Sequence, residues 1–548
     1  IEEYGLAEFI KLCKMRVLKY AGVMTDQSQR LGYWMDWNDL DELEMLRKAL
    51  EEDPEQEVTI KGTNGPVTGT AEQVVGQLGM PQVGGSYFTF SDENNYQIWR
   101  FLKTVDERGW LYKGRDVMPW CARCGTGISQ HEIVTDGYKE ITHESVYVKF
   151  PIVNKPEVEG TPRGTRSANK QEALIAWTTT PWTLTSNVAA AVGPDLTYAK
   201  VEHSDGWTYY LAKDVVKETL LGKPERDYEI VGELKGAEMV GWEYVGPFDN
   251  LPAEQEAFAE MDYVHRVIEW KDVSADEGTG IVHIAPGCGA EDFALSKEHN
   301  LPVVAPLDEN GIYVEGFDWL SGRNVLDHDL PEEIFESLRE KGVFYRKQKY
   351  PHRYPHCWRC ATELVYRLVD EWFISMGDLY DKPREEVTAE EKEASLRYQI
   401  MDSVDDANWY PSFGYDREMD WLRNMHDWMI SKKRYWGLAL PIWVFEDGSY
   451  YVVGSYEELE ELAVEGWDEF EGHTPHRPYI DAVKIRHPEN PDLIGTRIKD
   501  VGNPWLDAGV VALSTLHYSE DPEYWAKWYP ADWISESFPG QFRNWFYS

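Results

Sequence analysis

The chain has 548 residues, a length that suggests three or four domains, each able to bury its own core. Acidic residues outnumber basic ones 97 to 54, giving a formal net charge of −43 spread along the chain, while 24 Trp, 32 Tyr and 18 Phe set it apart from disordered acidic sequences. This balance argues against a uniformly basic nucleic-acid binder, and with no secretory leader and no apolar run near the roughly 18 residues of a membrane span, a cytoplasmic protein without a membrane partner is expected.

Acidity of this kind is expected of a halophilic protein. Near 1 M salt the Debye length is roughly 3 Å, so close local contacts rather than net charge decide binding. Any anionic partner still requires a basic patch.

The chain opens inside an amphipathic helical pattern, with Leu6, Phe9, Ile10, Cys13 and Val17 on one face, and is expected to be a piece of a longer protein. Residues 1–39 read as helix and turn, ending in the aromatic run Tyr33-Trp34-Met35-Asp36-Trp37, expected in a helical core layer. Residues 40–85 read as a small inserted subdomain: an acidic helix around Leu43–Leu50, the strand Val58-Thr59-Ile60, a turn, and a short helix near Glu72–Leu78. A further helix runs from Tyr96 to Gly109. From 143 to 330 short apolar runs such as Val146–Phe150, Leu174–Trp177, Val188–Val192, Tyr198–Val201 and Gly280–Ile284 are broken by Gly and Pro, as in a compact barrel or β-rich α+β domain. Beyond it, helices are expected near Glu363–Met376, Glu390–Ser403 and Trp421–Ser431, and a strand over Leu440–Phe445.

Four of six cysteines form two Cys-x-x-Cys pairs, Cys121/Cys124 and Cys357/Cys360, leaving Cys13 and Cys288 unpaired by spacing. Two matched pairs supply the four soft ligands of tetrahedral zinc, and a closed ligand set is structural rather than catalytic. The β-rich segment fills the interval between the pairs, so the metal would clip the base of an inserted domain. Redox pairs, two separate half-sites or a site that has lost its metal are the other readings. Lys341, Arg346, Lys347, Lys349, His352, Arg353 and Arg359, interleaved with Phe344, Tyr345, Tyr350, Tyr354 and Trp358, form the one dense basic-aromatic stretch and the best RNA-contact candidate. The same charges also fit a second role, offsetting a zinc with four thiolates.

Trp177-Thr178-Thr179-Thr180-Pro181-Trp182-Thr183-Leu184, followed by Asn187, resembles the threonine-rich segment of the editing domain of isoleucyl-tRNA synthetases. Gly278 through Phe293, containing His283, Cys288 and Asp292, resembles the second motif of that domain, with Cys288 where many members carry His. Trp428 through Gly437 is similar to the family's Trp-Cys-Ile-Ser-Arg-Gln-Arg-Tyr-Trp-Gly segment. On their own, three threonines also read as β-branched strand formers and His283 as a core histidine. The resemblance implies that Thr178, Thr179, Thr180, His283 and Asp292 carry editing, with Trp177, Trp182 and Asn187 lining the pocket. Hydroxyls and amides would orient a water and the terminal ribose, and Asp292 would pair with the α-ammonium of the aminoacyl group. Valine lacks one methylene of isoleucine, worth roughly 1–3 kcal/mol in a pocket, so a second sieve is needed.

The resemblance further implies an amino-acid pocket around Trp505, within Asn503–Gly509, and around Gln541 and Trp545, where Gly540 and Asn544 replace the family's Asp and Gly. Glu536 is a shifted candidate for its ribose-binding acid. The His-Ile-Gly-His and Lys-Met-Ser-Lys-Ser type signatures of class I synthetases do not occur in this sequence.

The expectation is therefore an α/β chain: a partial Rossmann-like catalytic core, a zinc-ribbon connective region and an inserted β-rich editing domain. Boundaries are placed at 1–120 (core and connective helices, with the insertion at 40–85), 121–142 (first knuckle), 143–330 (editing domain), 331–378 (return segment with the second knuckle) and 379–548 (rest of the core). The complete enzyme would be a monomer with structural zinc that joins isoleucine to its tRNA using ATP with Mg. A valyl-type relative and a non-catalytic, zinc-stapled RNA-binding paralogue are the alternatives.

Overall fold

The computed structural model describes residues 1, 3–128, 133, 137–156, 171–220, 227–276 and 278–535. It divides into two compact units, Arg115–Asp370 and the pair of segments Ile1–Gly114 and Glu371–Ser548.

Within Arg115–Asp370 a ten-stranded mixed sheet runs in the order Tyr228–Lys235, Thr197–His203, Trp207–Ala212, Gln171–Thr178, Ile281–Ile284, Ala189–Val192, Arg266–Glu269, Glu243–Tyr244, Tyr138–Asn154, Phe344–Pro355. Tyr138–Asn154 also pairs antiparallel with Gln171–Thr178, from Val146↔Thr178 to Pro151↔Ala173, so the stretch between those strands closes into a barrel. Period-two alternation puts Ala173 and Ile175, Ala199 and Val201, and Tyr209 and Leu211 into one buried cluster. Ala189-Ala190-Ala191-Val192 is buried along its whole length, and its small side chains let it fit between Ile281–Ile284 and Arg266–Glu269.

Phe344–Pro355 forms one end of this sheet, pairing with Tyr138–Val148, and most of the basic-aromatic stretch is engaged locally. Arg346 stacks 3.7 Å over Tyr147 and donates to the Thr219 carbonyl, Lys347 pairs with Glu332 at 2.5 Å, and Lys341 donates to Pro247 O and Asn250 Oδ1. Lys349, Arg353 and Arg359 are exposed.

In the other unit, helices Leu6–Leu31 and Leu40–Glu52, the hairpin Glu57–Gly62/Gly65–Thr70 and helix Ala71–Gly76 share a core of Met15, Leu18, Leu46, Leu50, Ile60 and Val74. Asp39 caps the acidic helix by accepting from Asp41 N and Glu42 N, and Thr70 and Gln73 form a reciprocal capping box. The aromatic run expected in a core layer lies instead on the surface, with Trp34 98% exposed, because the helix ends at Leu31 in a left-handed glycine cap at Gly32.

A second core joins Asp92–Glu107, Leu396–Asp406 and Phe413–Asn424 to a five-stranded sheet in the order Tyr450–Val452, Ile442–Val444, Ile494–Arg497, Lys484–Arg486, Ala463–Glu465. The registers defined in that sheet are antiparallel. Two helix expectations are corrected here. Val365–Ile374 is a strand whose end pairs with Trp428–Met429, and Trp421–Ser431 is the end of a helix stopping at Asn424 followed by short strands. Apolar residues at Val365, Leu368, Val369 and Trp372 imitate helical spacing, and a long-range partner decides the matter.

Candidate active site

The C-terminal ends of the parallel neighbours Gln171–Thr178 and Ile281–Ile284 open into a cavity of about 360 Å³ in the barrel unit. Trp177, Thr178, Thr179, Thr180, Thr183, His283, Cys288 and Asp292 all line it. The two sequence segments that were 100 positions apart thus meet, because their strands are adjacent in the sheet. Gly278, at φ +71°, lies where a Cβ would come within 2.7 Å of the Trp177 ring, so this wall needs a residue without a side chain.

His283 is held by a complete chain of hydrogen bonds. Thr183 Oγ1 lies 2.8 Å from both Thr180 O and His283 Nε2. A carbonyl only accepts, so the hydroxyl donates to Thr180 and His283 donates through Nε2. Its Nδ1 accepts from Asn187 Nδ2 at 3.2 Å, and Tyr244 donates to Asn187 Oδ1 at 2.9 Å. Burial lowers the pKa of His283 to about 4, so the ring is neutral at pH 7 with both nitrogens occupied. It can shape the pocket, but it has no free basic nitrogen to offer a water. Asn187 therefore stands behind His283 and is absent from the residues lining the cavity.

Asp292 sits in the first turn of helix Ala290–His299, where its Oδ2 accepts from Ala285 N at 2.7 Å. Burial raises its carboxyl to about 6, and that backbone bond partly opposes the rise. Thr180 N donates to Thr178 Oγ1 at 3.1 Å, and the two hydroxyl oxygens are 3.3 Å apart. Two hydroxyls and one carboxylate therefore border the same space. Burial also keeps the Cys288 thiol protonated, well above its ordinary range. Trp182 lines a larger neighbouring cavity of about 610 Å³, which shares Thr179 and Thr180 with the first.

The four paired cysteines converge as well, with their sulfurs all within 4.8 Å of one another. Each knuckle repeats one geometry: Gly125 N donates to Cys121 O at 2.9 Å, and Ala361 N donates to Cys357 O at 2.8 Å. Both residues following the second cysteine are left-handed, at φ +61° and +60°. Zinc–sulfur bonds near 2.3 Å require sulfurs roughly 3.8 Å apart, and Cys121 and Cys360 stand at 3.4 Å, so the residues present fit a zinc ion.

The sequence model of the family described as tRNA synthetases class I (I, L, M and V) matches residues 69–548. The chain belongs to the class I tRNA synthetases.

Among its relatives in that class, the isoleucine–tRNA ligase of Thermococcus kodakarensis is 34% identical over 99% of this chain and 45% of its own length. Those of Methanothermobacter marburgensis and Clostridium novyi are 35% and 34% identical over 100% of this chain and 43% and 44% of theirs. The chain thus spans less than half the length of the relatives it matches. A solved structure titled "The crystal structure of GlLeuRS-CP1" is 12% identical and covers 37% of this chain and 99% of that one, at a TM-score of 0.28.

In this class I chain Trp505 is half-buried in helix Pro504–Gly509, capped by Asn503, and packs against the core of its unit. Nearby, Asp507 is buried, accepts from Asn94 Nδ2 and titrates near 7 because of that burial. Gln541, Trp545 and Glu536 lie outside the described residues. The sequence reading did not single out Thr183 or Tyr244, which orient His283 directly and through Asn187. Thr183 lies inside the quoted motif, but nothing local marks it as the hydroxyl that meets the histidine.

Proposed function

We propose that this chain is the central part of an isoleucyl-tRNA synthetase and that its barrel hydrolyses valine wrongly esterified to the isoleucine tRNA. The observation that carries the proposal is the convergence of Thr178, Thr179, Thr180, His283 and Asp292 on one cavity. Asp292 receives the α-ammonium of the aminoacyl group, and the Thr178 and Thr180 hydroxyls hold the terminal ribose and a water against the ester carbonyl. The water oxygen bonds to that carbonyl carbon, the ester C–O bond breaks, and a proton ends on the ribose oxygen. Neutral His283, fixed by Thr183 and Asn187, limits the room beside the aminoacyl side chain and favours valine over isoleucine. Trp177 and the threonines line the same space, and Trp182 borders the larger cavity beside it.

Cys121, Cys124, Cys357 and Cys360 hold a structural zinc in a ribbon that pins the two ends of the barrel insertion. The other unit supplies part of a Rossmann-like catalytic core. Trp505, Gln541 and Trp545 belong to its isoleucine pocket, and the whole enzyme, a cytoplasmic monomer of a high-salt cell, uses ATP with Mg. Names and identities of relatives aligned along nearly the whole chain favour isoleucine over the valyl alternative.

The experiment is deacylation of valyl-tRNA for isoleucine by the protein and by its Asp292→Ala variant. Loss of hydrolysis in the variant is expected. Equal survival of the ester with both proteins refutes the assignment and leaves the non-catalytic RNA-binding reading.

A further inference from the structure

We infer that Asp249, Glu254 and His265 form a binding site for a divalent transition-metal ion of the zinc type, separate from the four-cysteine cluster. The three residues come from different segments of the barrel unit: the loop after Glu243–Tyr244, the first turn of helix Pro252–Met261, and the residue preceding strand Arg266–Glu269. Their ligand atoms all lie within 4.8 Å of one another. His265 Nε2 is 2.7 Å from Asp249 Oδ1 and 3.0 Å from Glu254 Oε1. Zinc bound at about 2.0–2.2 Å to nitrogen and oxygen separates its donors by roughly 3.3–3.6 Å, so an opening of about half an ångström admits the ion.

Three further observations favour a metal over a mere ion pair. His265 Nδ1 donates to Val188 O at 3.0 Å, which orients the ring so that Nε2 faces both carboxylates and is the nitrogen left for a metal, the arrangement found at metal-bound imidazoles. Glu254 is 1% exposed; its Oε1 stands 3.0 Å from His265 Nε2, whose single proton is directed to Asp249, and among the described residues no hydrogen bond reaches its Oε2. Gly246 borders the gap, and a Cβ there would lie 2.2 Å from both Asp249 Oδ1 and His265 Nε2, so this position keeps the ligand space open.

Two carboxylates and a dication balance in charge, and the side chain of Asp249, 41% exposed, gives the ion a path from solvent with room for water ligands. Lys341, the cation that faces Glu254, is engaged with Pro247 O and Asn250 Oδ1. Tyr244, stacked on the imidazole at 5.0 Å, Phe258, edge-on at 4.7 Å, and Tyr263 close the remaining sides. Without an ion a proton takes its place. His265 Nε2 lies between Asp249 Oδ1 and Glu254 Oε1, and the proton it directs to them is the one a metal ion displaces. Metal binding therefore releases a proton, and zinc affinity rises with pH.

The test is zinc uptake by chelator-stripped protein, counted per chain by elemental analysis and followed by calorimetry in two buffers of different ionisation heat. The wild type is expected to bind one equivalent more than Glu254→Gln, to release protons at that step, and to keep that equivalent when Cys357→Ser removes the other. Glu254→Gln and His265→Asn weaken it by at least about tenfold. Metal-free melting curves that match the wild type show the variants to be folded. A wild type that takes up zinc at the cysteine cluster alone overturns the inference, as does equal uptake by folded Glu254→Gln.

Discussion

Thr183 Oγ1 stands 2.8 Å from His283 Nε2 at the wall of the cavity, and this contact ties the threonine-rich segment to the strand beside it. Replacing Thr183 by Val keeps the shape and removes the acceptor, leaving a buried N–H unsatisfied at a cost of about 1–3 kcal/mol. Denaturant unfolding of Thr183→Val is expected to show that loss. Since the folded pKa of His283, about 4, lies below its unfolded value, its contribution to stability is present above pH 6.5 and is lost as pH falls toward 4. Deacylation is expected to show no inflection from this histidine between pH 6 and 8.

Asp292 behaves in the opposite sense. Burial raises its carboxyl from 3.8 to about 6, so ionisation at neutral pH destabilises the fold, and acidification through 6 relieves that penalty. Asp292→Asn is therefore expected to unfold at higher denaturant at pH 7, by on the order of 1–3 kcal/mol, while losing most of its hydrolysis. The wild-type rate is expected to rise with pH through about 6, where the carboxylate forms to receive the α-ammonium. A rate independent of pH between 5 and 7 counts against that role.

What was legible in the sequence divides along physical lines. Val146–Phe150, Leu174–Trp177, Val188–Val192 and Gly280–Ile284 read correctly as strands because period-two alternation and continuous burial leave a local trace. Val365–Ile374 read as helix because its apolar spacing fits both periods and its partner Trp428–Met429 is far along the chain. In the pocket, Thr178–Thr180, His283 and Asp292 carried a resemblance, whereas Thr183 and Tyr244 act through hydrogen bonds that only folding creates. Asp249, Glu254 and His265 left no trace, since three common residue types spread over a loop, a helix and a strand start form no motif.

Metal removal tests the cysteine cluster. Cys357→Ser leaves three thiolates where a tetrahedral ion needs four, and the knuckles lose the clip that fixes them. The variant is expected to bind one zinc fewer per chain and to melt earlier by several degrees, and chelation of the wild type should reproduce the shift. Identical melting with and without chelator would remove the structural role of the ion.

The two knuckles make a matched pair of glycine tests. Gly125 and Ala361 hold equivalent left-handed positions, yet one is glycine and the other is not. Among the described residues a Cβ on Gly125 meets nothing within 4 Å, so Gly125→Ala acts through backbone energetics. The left-handed conformation costs an L-residue about 1–2 kcal/mol, while alanine restricts the unfolded chain by about 0.4–1 kcal/mol relative to glycine. Strain outweighs the entropic gain, so Gly125→Ala is expected to destabilise by about 1 kcal/mol. Ala361→Gly runs the same balance in reverse and is expected to stabilise by a similar amount, about 1 kcal/mol. Equilibrium unfolding in the zinc-loaded state measures both, and the same sign in both variants would show that the knuckles do not share one geometry in solution.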